Sequence, residues 1–430
     1  MAKLAIAGGP PVRTKAFAEW PQFDDLERRA ITGVLESRNW GGYPFPNRWA
    51  ELFGQRFAAH QNAKHALCAA NGTVTLEITL KAIGISPCDE VIVPAYTFEA
   101  TAAPVLRLGA VPVFVDILPD TYCIDAAAAA EAITSRTRAI IPVHLAMNMA
   151  DMDAISELAG WHGLKVIEDC AHAHGARWRG RGAGSIGDAG SFSMQTSKLM
   201  TAGEGGVVTT NDDELFELCQ SYVNCGRASQ TDRFGHRLLG FNYRMTEFQA
   251  AILLAQLERL PEQTERRTAR AARLEAGLSA VSGIRLLRRD ERLTTQAIYQ
   301  FVFKYDAQAF GGASRDRLVA ALEAEGIPAE GLFYEPIYRS PLFQVDPRDF
   351  PALAGDLPWA KTRCPVAERA AYEESVWLPH QLLLGSEQDV DQIVEAVEKI
   401  QNHVDELLHA DHPLIDIKRM NRAERPRLDL

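Results

Sequence analysis

Cysteine is scarce in this chain of 430 residues, and its seven cysteines stand singly along the sequence. They form no CxxC pair and their number is odd, so the sequence indicates neither a disulfide framework nor a zinc site. We therefore expect small buried cysteine side chains in a protein of a reducing compartment, with no bound metal.

Long apolar runs and clusters of basic residues are also missing. Residues 126–130 and 252–255 are among the longest apolar runs, and both are far too short to cross a bilayer. The N-terminal residues lack the apolar core of a signal peptide, which predicts a cytoplasmic protein with no membrane partner. The formal net charge is −11 and the sequence pI is near 5.6, with no cluster of basic and aromatic residues, so nucleic acid is not an expected partner.

The overall composition is that of a folded protein. Hydrophobic residues make up 47% of the chain and charged residues 23%, which is ordinary for a soluble globular protein. A chain of this length exceeds what one hydrophobic core usually organises. We therefore expect a large domain and a smaller one.

Short apolar segments alternate with helical patterns from residue 65 onward. Strands are predicted at 65–69, 91–93, 112–115, 139–143 and 165–168, and helices at 73–83 and 152–162. This alternation predicts an α/β domain with a mostly parallel sheet covered by helices, whose strands are buried on both faces. Two further predicted strands, at 189–194 and 206–210, bracket a polar segment that contains Lys198.

A long helical pattern separates this region from the last third of the chain. It begins after Thr246, a predicted N-cap, and continues to about residue 278, with Pro261 as a predicted kink. It is expected to link the large domain to a small α+β domain with a strand at 299–303 and helices at 315–325 and 390–408. The predicted division is an N-terminal arm at 1–22, a large domain at 23–255, a small domain with the linking helix at 256–408, and a tail at 409–430.

Lys198 stands directly after a predicted strand and before the glycine-rich residues 203–206. Glycines let a backbone approach a flat ligand closely, so Lys198 is a candidate for covalent catalysis, with an ordinary solvated lysine as the alternative. Asp169 ends another predicted strand, at the edge where parallel sheets bind ligands, and is either a site carboxylate or a helix cap. His172 follows it and is expected to pack near the ligand or to support Asp169.

Three further segments carry candidate ligand contacts. Asn71-Gly72-Thr73 joins a strand to a helix, whose free backbone amides, with the Thr73 hydroxyl, are able to hold a phosphate. Ser193 offers another hydroxyl unless the backbone satisfies it, and Phe98 offers a flat ring unless it packs in the core. A lysine, a carboxylate, phosphate donors and a flat ring are together what amine transfer on pyridoxal phosphate requires.

The segments that hold these residues resemble the sugar aminotransferase family, the nucleotide-sugar and cyclitol branch of the fold-type-I pyridoxal-phosphate enzymes. The resemblance covers nearly the whole chain and is most specific at VIVPAYTF (91–98), EDCAHAHG (168–175), FSMQTSK (192–198) and GEGG (203–206). It implies that Lys198 carries pyridoxal 5′-phosphate as a Schiff base, that Asp169 pairs with the pyridine nitrogen and that Phe98 stacks on the ring. The implied phosphate ligands are Gly72, Thr73 and Ser193.

The segment GFNYRM, at 240–245, resembles the family segment that reaches across a subunit interface. The resemblance implies that Asn242 contacts the phosphate of the neighbouring subunit's cofactor. A homodimer with shared active sites follows from that implied contact.

Gln195 and residues 199–206 resemble the cyclitol aminotransferases and aminohydroxybenzoate synthases more than the nucleotide-sugar members. The resemblance implies a two-half-reaction transfer of an amine from glutamine or glutamate to a keto-cyclitol or keto-sugar, in antibiotic, secondary-metabolite or surface-sugar biosynthesis. Gln195, Tyr334 and His380 are candidate substrate residues. Glu335 and Tyr338 lie near Tyr334 in the predicted small domain, where packing explains such side chains equally well.

Other interpretations of the same residues stay open. A 3-amino-5-hydroxybenzoate synthase shares the lysine motif and differs chiefly in its acceptor pocket. A non-catalytic pyridoxal-phosphate-binding regulator belongs to another class of protein; such regulators are fused to DNA-binding modules, and none is apparent in this sequence. A dehydratase of the same fold has histidine in place of the lysine, so Lys198 argues against that interpretation.

Overall fold

The computed structural model describes residues 3–227, 235–353 and 355–413. Met1 and Ala2 of the predicted arm and residues 414–430 of the predicted tail lie outside the described residues. No helix within the described ranges has both the length and the apolar character that a membrane crossing requires.

The strands of the described residues form three sheets. In chain order they are β1 (His65–Ala69), β2 (Glu90–Pro94), β3 (Val111–Val115), β4 (Thr137–Ile140), β5 (Lys165–Asp169), β6 (Arg177–Trp178), β7 (Arg181–Gly182), β8 (Ala189–Ser193), β9 (Gly206–Thr210), β10 (Ile284–Leu286), β11 (Leu293–Thr295), β12 (Gln300–Tyr305) and β13 (Ser375–Pro379). The largest sheet has the order β1-β9-β8-β5-β4-β2-β3, and β9 is the one strand of this sheet whose direction is opposite to that of the other six. This confirms the predicted α/β class with a mostly parallel sheet.

The reversed direction of β9 follows from the absence of a helix in the connection before it. A parallel neighbour needs a crossover that returns the chain to the opposite end of the sheet, usually through a helix, whereas residues 194–205 join β8 to β9 without one. Ser193 therefore pairs directly with Gly206 in an antiparallel register. The connection presents Lys198 at the end of the sheet where the parallel strands have their carboxyl ends.

The central strands are buried on both faces, as their continuous apolar runs predict. β2 and β9 are buried along their whole length. The predicted strand at 139–143 is wrong in its extent, because β4 ends at Ile140 and Val143 joins β5 only through an isolated bridge to Asp169. Pro142 explains the early end, since proline has no N–H group to donate to the ladder.

Side-chain caps begin the main helices. The α-helices of the described residues are α1 (Asp25–Ser37), α2 (Arg48–Gln61), α3 (Gly72–Ala82), α4 (Ala103–Arg107), α5 (Ala126–Glu131), α6 (Met152–His162), α7 (Asp213–Val223), α8 (Glu247–Leu278), α9 (Arg315–Ala324), α10 (Pro365–Arg369), α11 (Glu387–Asn402) and α12 (Val404–His409). Asp24 and Thr246 form capping boxes at α1 and α8, and Asn71 and Asp151 cap α3 and α6. The predicted N-cap at Thr246 is confirmed.

The long helix α8 continues through Pro261 and packs against α1, α2 and α11. It spans the predicted boundary between residues 255 and 256, and the division into domains stays a prediction. Beyond it lies a small antiparallel sheet of order β10-β12-β13. The predicted single helix at 390–408 is wrong at His403, where the imidazole donates to the Lys399 carbonyl and the backbone leaves the helical region.

The cysteines are mostly buried and none is bonded to another. The prediction of burial is wrong for Cys88, which is exposed, and for Cys225, which is partly exposed. Cys88 occupies the turn before β2 with a φ of 71°, and surface turns direct such side chains to solvent.

Candidate active site

A cavity of about 750 Å³ opens at the carboxyl ends of β2, β5 and β8, where parallel sheets place ligand sites. Its volume suits a small-molecule ligand. The lining residues used below are Asn71, Gly72, Thr73, Phe98, Thr101, Asp169, His172, Ser193, Gln195, Ser197, Lys198, Tyr299, Gln300, Phe333 and Tyr334. Every predicted cofactor residue except Asn242 belongs to this set.

Lys198 occupies a tight turn of the β8–β9 connection. Its backbone N–H donates to the Gln195 carbonyl at 2.9 Å, and its ammonium nitrogen Nζ lies 4.5 Å from the centre of the Tyr299 ring. Burial lowers the pKa of Lys198 to about 8, and the negative charge of Asp169 offsets part of that effect. A lysine with this pKa is able to exchange a proton near neutral pH.

Asp169 presents a buried carboxylate at the end of β5. The Thr101 hydroxyl donates to its Oδ2 at 2.8 Å, and the backbone N–H of Ala171 donates to its Oδ1 at 3.1 Å. Burial raises the pKa of Asp169, although both hydrogen bonds and the charge of Lys198 act in the opposite direction. The carboxylate is therefore held in one orientation and is suited to a cationic partner.

The neighbouring Glu168 anchors β5 from below the site. Its buried carboxylate accepts hydrogen bonds from His144 Nε2 at 2.9 Å and from the backbone amides of Gly184 at 2.9 Å and Gly187 at 2.8 Å. The ring atom Nδ1 of His144 accepts from the Ala150 amide, so Nε2 carries the proton of a neutral imidazole. These bonds join β5, which ends at Asp169, to the turn before β8, the strand that leads to Lys198.

The first turn of α3 forms an anion-binding surface beside the lysine. Asn71 caps the helix, with its Oδ1 accepting from the Val74 amide at 2.9 Å. The Gly72 and Thr73 amides of the first turn have no intrahelical acceptor and line the cavity. A Cβ at Gly72 would lie 2.7 Å from the Ser193 Cβ, so only glycine permits this approach between α3 and β8.

An aromatic wall, formed by His172, Tyr299, Phe333 and Tyr334, lines the cavity beside the lysine. The His172 ring stacks on Tyr299 with 4.0 Å between centroids, and His172 Nδ1 accepts from the Ala146 amide at 3.1 Å. The proton of the neutral imidazole is therefore on Nε2, which donates to the Tyr334 hydroxyl at 3.1 Å. Burial lowers the pKa of His172 well below its ordinary value, so this histidine stays neutral.

Gln195 lines the cavity with its side chain engaged by the same loop. Its Oε1 accepts from the Ser197 backbone N–H at 2.8 Å and from the Ser197 hydroxyl at 2.7 Å. The Ser197 hydroxyl in turn lies 2.8 Å from the Tyr299 hydroxyl. This chain of contacts ties the lysine loop to the aromatic wall.

The remaining predicted residues lie in different surroundings. Phe98 lines the cavity with half of its surface exposed, while the exposed Asn242 is bridged to Asn224 outside the cavity. His380 is not among the lining residues, since it packs behind the lysine loop with its Nε2 on the Ser197 carbonyl. Tyr338 is also outside the lining and donates its hydroxyl to Glu368 at 2.5 Å.

Sequence reasoning missed several lining residues. Thr101 and Tyr299 were not singled out, although each contacts a candidate catalytic residue. Thr101 belongs to the polar segment after β2, which is a usable signal because that segment also holds Phe98. Tyr299 and Phe333 come from regions that carry no motif, and only the tertiary fold brings them to the lysine.

Residues 21–398 match the DegT/DnrJ/EryC1/StrS aminotransferase family. A Streptoalloteichus tenebrarius protein provisionally named L-glutamine:3-amino-2,3-dideoxy-scyllo-inosose aminotransferase is 46% identical over 94% of this chain and 99% of its own. The L-glutamine:2-deoxy-scyllo-inosose aminotransferase of Streptomyces paromomycinus is 39% identical over 93% and 98%, respectively. The crystal structure of 3-amino-5-hydroxybenzoic acid synthase is similar with a TM-score of 0.81, at 36% identity over 90% of this chain and 99% of that one.

Proposed function

This chain belongs to the DegT/DnrJ/EryC1/StrS aminotransferase family, and from that premise we propose that it transfers the amine of glutamine to a keto-cyclitol. Family membership makes the protein a pyridoxal-phosphate-dependent aminotransferase. The observation that carries the proposal is the meeting of Lys198, Asp169 and the first turn of α3 around one cavity. The names of the relatives support the donor and the class of acceptor.

The residues present fit pyridoxal phosphate. The amides of Gly72 and Thr73 with the Ser193 hydroxyl would hold its phosphate, because together they offer donors at a helix N-terminus. Asp169 would pair with the pyridine nitrogen and Lys198 would form the covalent attachment. When bound, the cofactor withdraws electrons from the amino-bearing carbon of the donor and so makes its proton removable.

Lys198 is the proposed proton-transfer residue. With a pKa near 8, its amine has a substantial neutral fraction at neutral pH, so it is able to take a proton and return it to a neighbouring atom. The face of Tyr299 receives the ammonium group at 4.5 Å, which stabilises the protonated form and limits its movement. Asp169 would place its carboxylate beside the ring nitrogen of the bound cofactor, and the Thr101 hydrogen bond keeps that carboxylate oriented.

The acceptor is proposed to bind against the aromatic wall. Tyr299, Phe333 and Tyr334 offer flat faces for the C–H surface of a cyclitol ring, and Gln195 and Gln300 offer polar atoms for its hydroxyl groups. The neutral state of His172 fits an uncharged polyol. A 3-amino-5-hydroxybenzoate synthase activity is the second candidate, because the solved synthase has the same fold over nearly the whole chain.

We also propose a homodimer with shared sites, located in the cytoplasm. Leu239 and Phe241, which adjoin Asn242 along the chain, are large exposed apolar side chains, and such side chains are typical of protein interfaces. Unpaired cysteines are typical of a reducing compartment.

The activity is tested with purified protein, labelled glutamine and a panel of keto-inositols, nucleotide keto-sugars and the amino-ketocyclohexene acids. We expect labelled amine in a keto-inositol product, no transfer by Lys198→Ala, and normal transfer by the control Lys361→Ala, whose side chain is exposed outside the cavity. An aromatic amino acid formed from the amino-ketocyclohexene acids, with no labelled keto-inositol product, would favour the synthase. A Lys198→Ala enzyme that transaminates normally would contradict the assignment of this lysine.

The shared site has its own test. Mixed dimers of Lys198→Ala and Asn242→Ala chains contain one site with both residues intact, so mixing two impaired proteins is expected to restore activity. Mixtures that stay as impaired as their components would contradict the contribution of Asn242 in trans.

A further inference from the structure

Two rings of the aromatic wall stand on a segment without regular structure, residues 331–334, which we call the acceptor segment. Just before it, Glu330 exchanges two backbone hydrogen bonds with Trp377 of β13, at 2.9 and 2.8 Å. Shortly after it, the Ile337 amide donates to a backbone carbonyl beyond β2 at 2.8 Å. The acceptor segment is therefore tied to a strand at each end, and its course between these ties depends on further contacts.

Arg315, the first residue of α9, supplies such a contact from outside the cavity lining. It is buried, with 4% of its surface exposed. Its Nη1 donates to the Gly331 carbonyl at 2.8 Å and lies 3.1 and 3.0 Å from the carbonyl oxygens of Ala371 and Ser375. Its Nη2 donates to the Tyr372 carbonyl at 3.3 Å. One guanidinium group thus holds four backbone carbonyls.

These surroundings satisfy a buried cation. A guanidinium group has five N–H donors in one plane and no acceptor, so carbonyl oxygens suit it when it is removed from water. Nε donates to the Asp316 carboxylate at 2.8 Å, which supplies a negative charge. Ala371 and Tyr372 belong to the π-helical turn Ala370–Glu374, and carbonyls at the end of a helix lack intrahelical partners and favour a cation. Arg315 therefore joins α9, this turn and the acceptor segment.

Gly331 permits the close approach of the guanidinium. A Cβ at this position would lie 2.4 Å from Arg315 Nε and 2.8 Å from the guanidinium carbon, closer than unbonded heavy atoms approach each other. The arginine has little freedom to move aside, because its hydrogen bonds reach several backbone groups at once. The missing side chain at Gly331 is a second, independent observation that the acceptor segment begins against Arg315.

The same arginine also supports the strand on which the rings pack. The Phe333 ring stacks on the Trp377 indole with 4.6 Å between centroids and 9° between planes, and Tyr334 meets that indole edge-on at 5.9 Å. The indole N–H of Trp377 donates to the Ser375 hydroxyl at 2.9 Å. Because the Ser375 carbonyl lies against Arg315, both the acceptor segment and its packing partner depend on this side chain.

We propose that Arg315 is a positioning residue that fixes the acceptor segment and thereby determines how tightly the acceptor binds. This inference rests on the proposed function, which places the acceptor against Phe333 and Tyr334. The hydrogen bonds of Arg315 reach neither Lys198 nor Asp169, which stand at the ends of strands in the largest sheet. Loss of Arg315 should therefore impair the acceptor half-reaction more than the glutamine half-reaction.

The first experiment measures hydrogen exchange of the holoenzyme by mass spectrometry, without substrate. Arg315→Met keeps the length of the side chain and removes its donors. We expect the hydrogen-bonded amides of Glu330 and Ile337 to exchange about tenfold faster in this variant, while peptides from residues 194–205 exchange as in the wild type. Unchanged exchange at both amides would overturn the proposal. This result involves no substrate, so it stays separate from a failure of the proposed function.

The second experiment separates the two half-reactions. Glutamine is mixed with enzyme alone and the absorbance of the lysine-bound cofactor is followed, and KM is then measured for the acceptor that the substrate panel identifies. For Arg315→Met we expect the KM of the acceptor to rise about tenfold or more, while the glutamine half-reaction stays within about twofold. Gly331→Ala should show the same division. Arg315→Lys should recover part of the loss because it keeps N–H donors.

The matched control is Arg317→Met on the same helix. Arg317 Nη1 also donates to backbone carbonyls, those of Leu407 and Ala410 at 2.9 and 3.0 Å, but to none in the acceptor segment. We expect wild-type exchange and wild-type KM for this variant. An equal loss in both half-reactions of Arg315→Met, or the same changes in Arg317→Met, would overturn the proposal. If Arg315→Met does not fold, Gly331→Ala and Arg315→Lys decide the matter by the same two measurements.

Discussion

The lowered pKa of Lys198 leads to a measurement that involves no substrate. At pH 7 a lysine with a pKa of about 8 is neutral in about 9% of molecules, whereas an unperturbed side chain of pKa 10.5 is neutral in about 0.03%. Only the neutral amine reacts with an acylating reagent. After removal of the cofactor, Lys198 should therefore be acetylated about 300-fold faster at pH 7 than an equally accessible lysine of ordinary pKa.

Competitive acetylation with isotopic reagents, read by mass spectrometry over pH 6 to 11, gives the titration midpoint of each lysine. We expect a midpoint near 8 for Lys198. Asp169→Asn removes the carboxylate that raises the Lys198 pKa, so the midpoint of that variant should move to lower pH. The exposed substitution Glu51→Gln is the control and should leave the profile unchanged.

A Lys198 midpoint near 10.5 would refute the argument that burial tunes this amine. A midpoint that moves to higher pH in Asp169→Asn would refute the assigned sign of the charge interaction. Slow acetylation with a low midpoint is a different result, since it reports limited access of the reagent and not the pKa.

Further predictions concern the support of the site. Burial acts to raise the pKa of Glu168, but its hydrogen bonds bring that pKa below the ordinary value. The ionised carboxylate therefore stabilises the fold above about pH 4.5, and this stabilisation is lost as the pH falls through the folded-state pKa. Glu168→Gln should lower the free energy of unfolding, measured by urea titration, by about 3 kcal/mol at pH 7 and by less in acid. Gly72→Ala should weaken cofactor binding about tenfold in absorbance titrations, since the new methyl group meets a side chain at 2.7 Å, while Gly160→Ala, where space is open, should bind normally. Thr101→Val removes a donor to Asp169, so the acid limb of the kcat–pH profile should rise by about one pH unit; an unchanged limb would contradict the coupling.

The strands and helices of the sheet could be read from the sequence because their signals are local. The cap at Thr246 and the continuous apolar runs located most boundaries to within a residue or two. The end of β4 was predicted at residue 143 and lies at Ile140. The early end was not predicted because Pro142 interrupts the strand only by failing to donate one hydrogen bond to the ladder. The break at His403 was missed because a side chain there competes for a backbone carbonyl.

The candidate site was predictable where residues follow strand ends. Asp169 and Lys198 meet because parallel strands bring their carboxyl ends together, and motif resemblance marked both. Tyr299 was not predictable, since its contact with Lys198 depends on how β12 packs against the larger sheet. From the sequence, Gly206 was expected to let a ligand approach the backbone. In the structure, the lack of a side chain at Gly206 instead leaves room for the backbone of Asn71, whose carbonyl carbon would lie 2.4 Å from a Cβ at position 206.

The cofactor side and the acceptor side of the cavity are built from different kinds of structure. The two sides therefore differ in how readily their residues can be substituted. The proposed cofactor contacts lie at buried strand ends and on the first turn of α3, where a substitution would disturb the packing of the central sheet. Phe333 and Tyr334 stand in an irregular stretch between α9 and β13. Duplicated genes are therefore able to acquire new acceptors through this stretch while the amine chemistry is passed on unchanged.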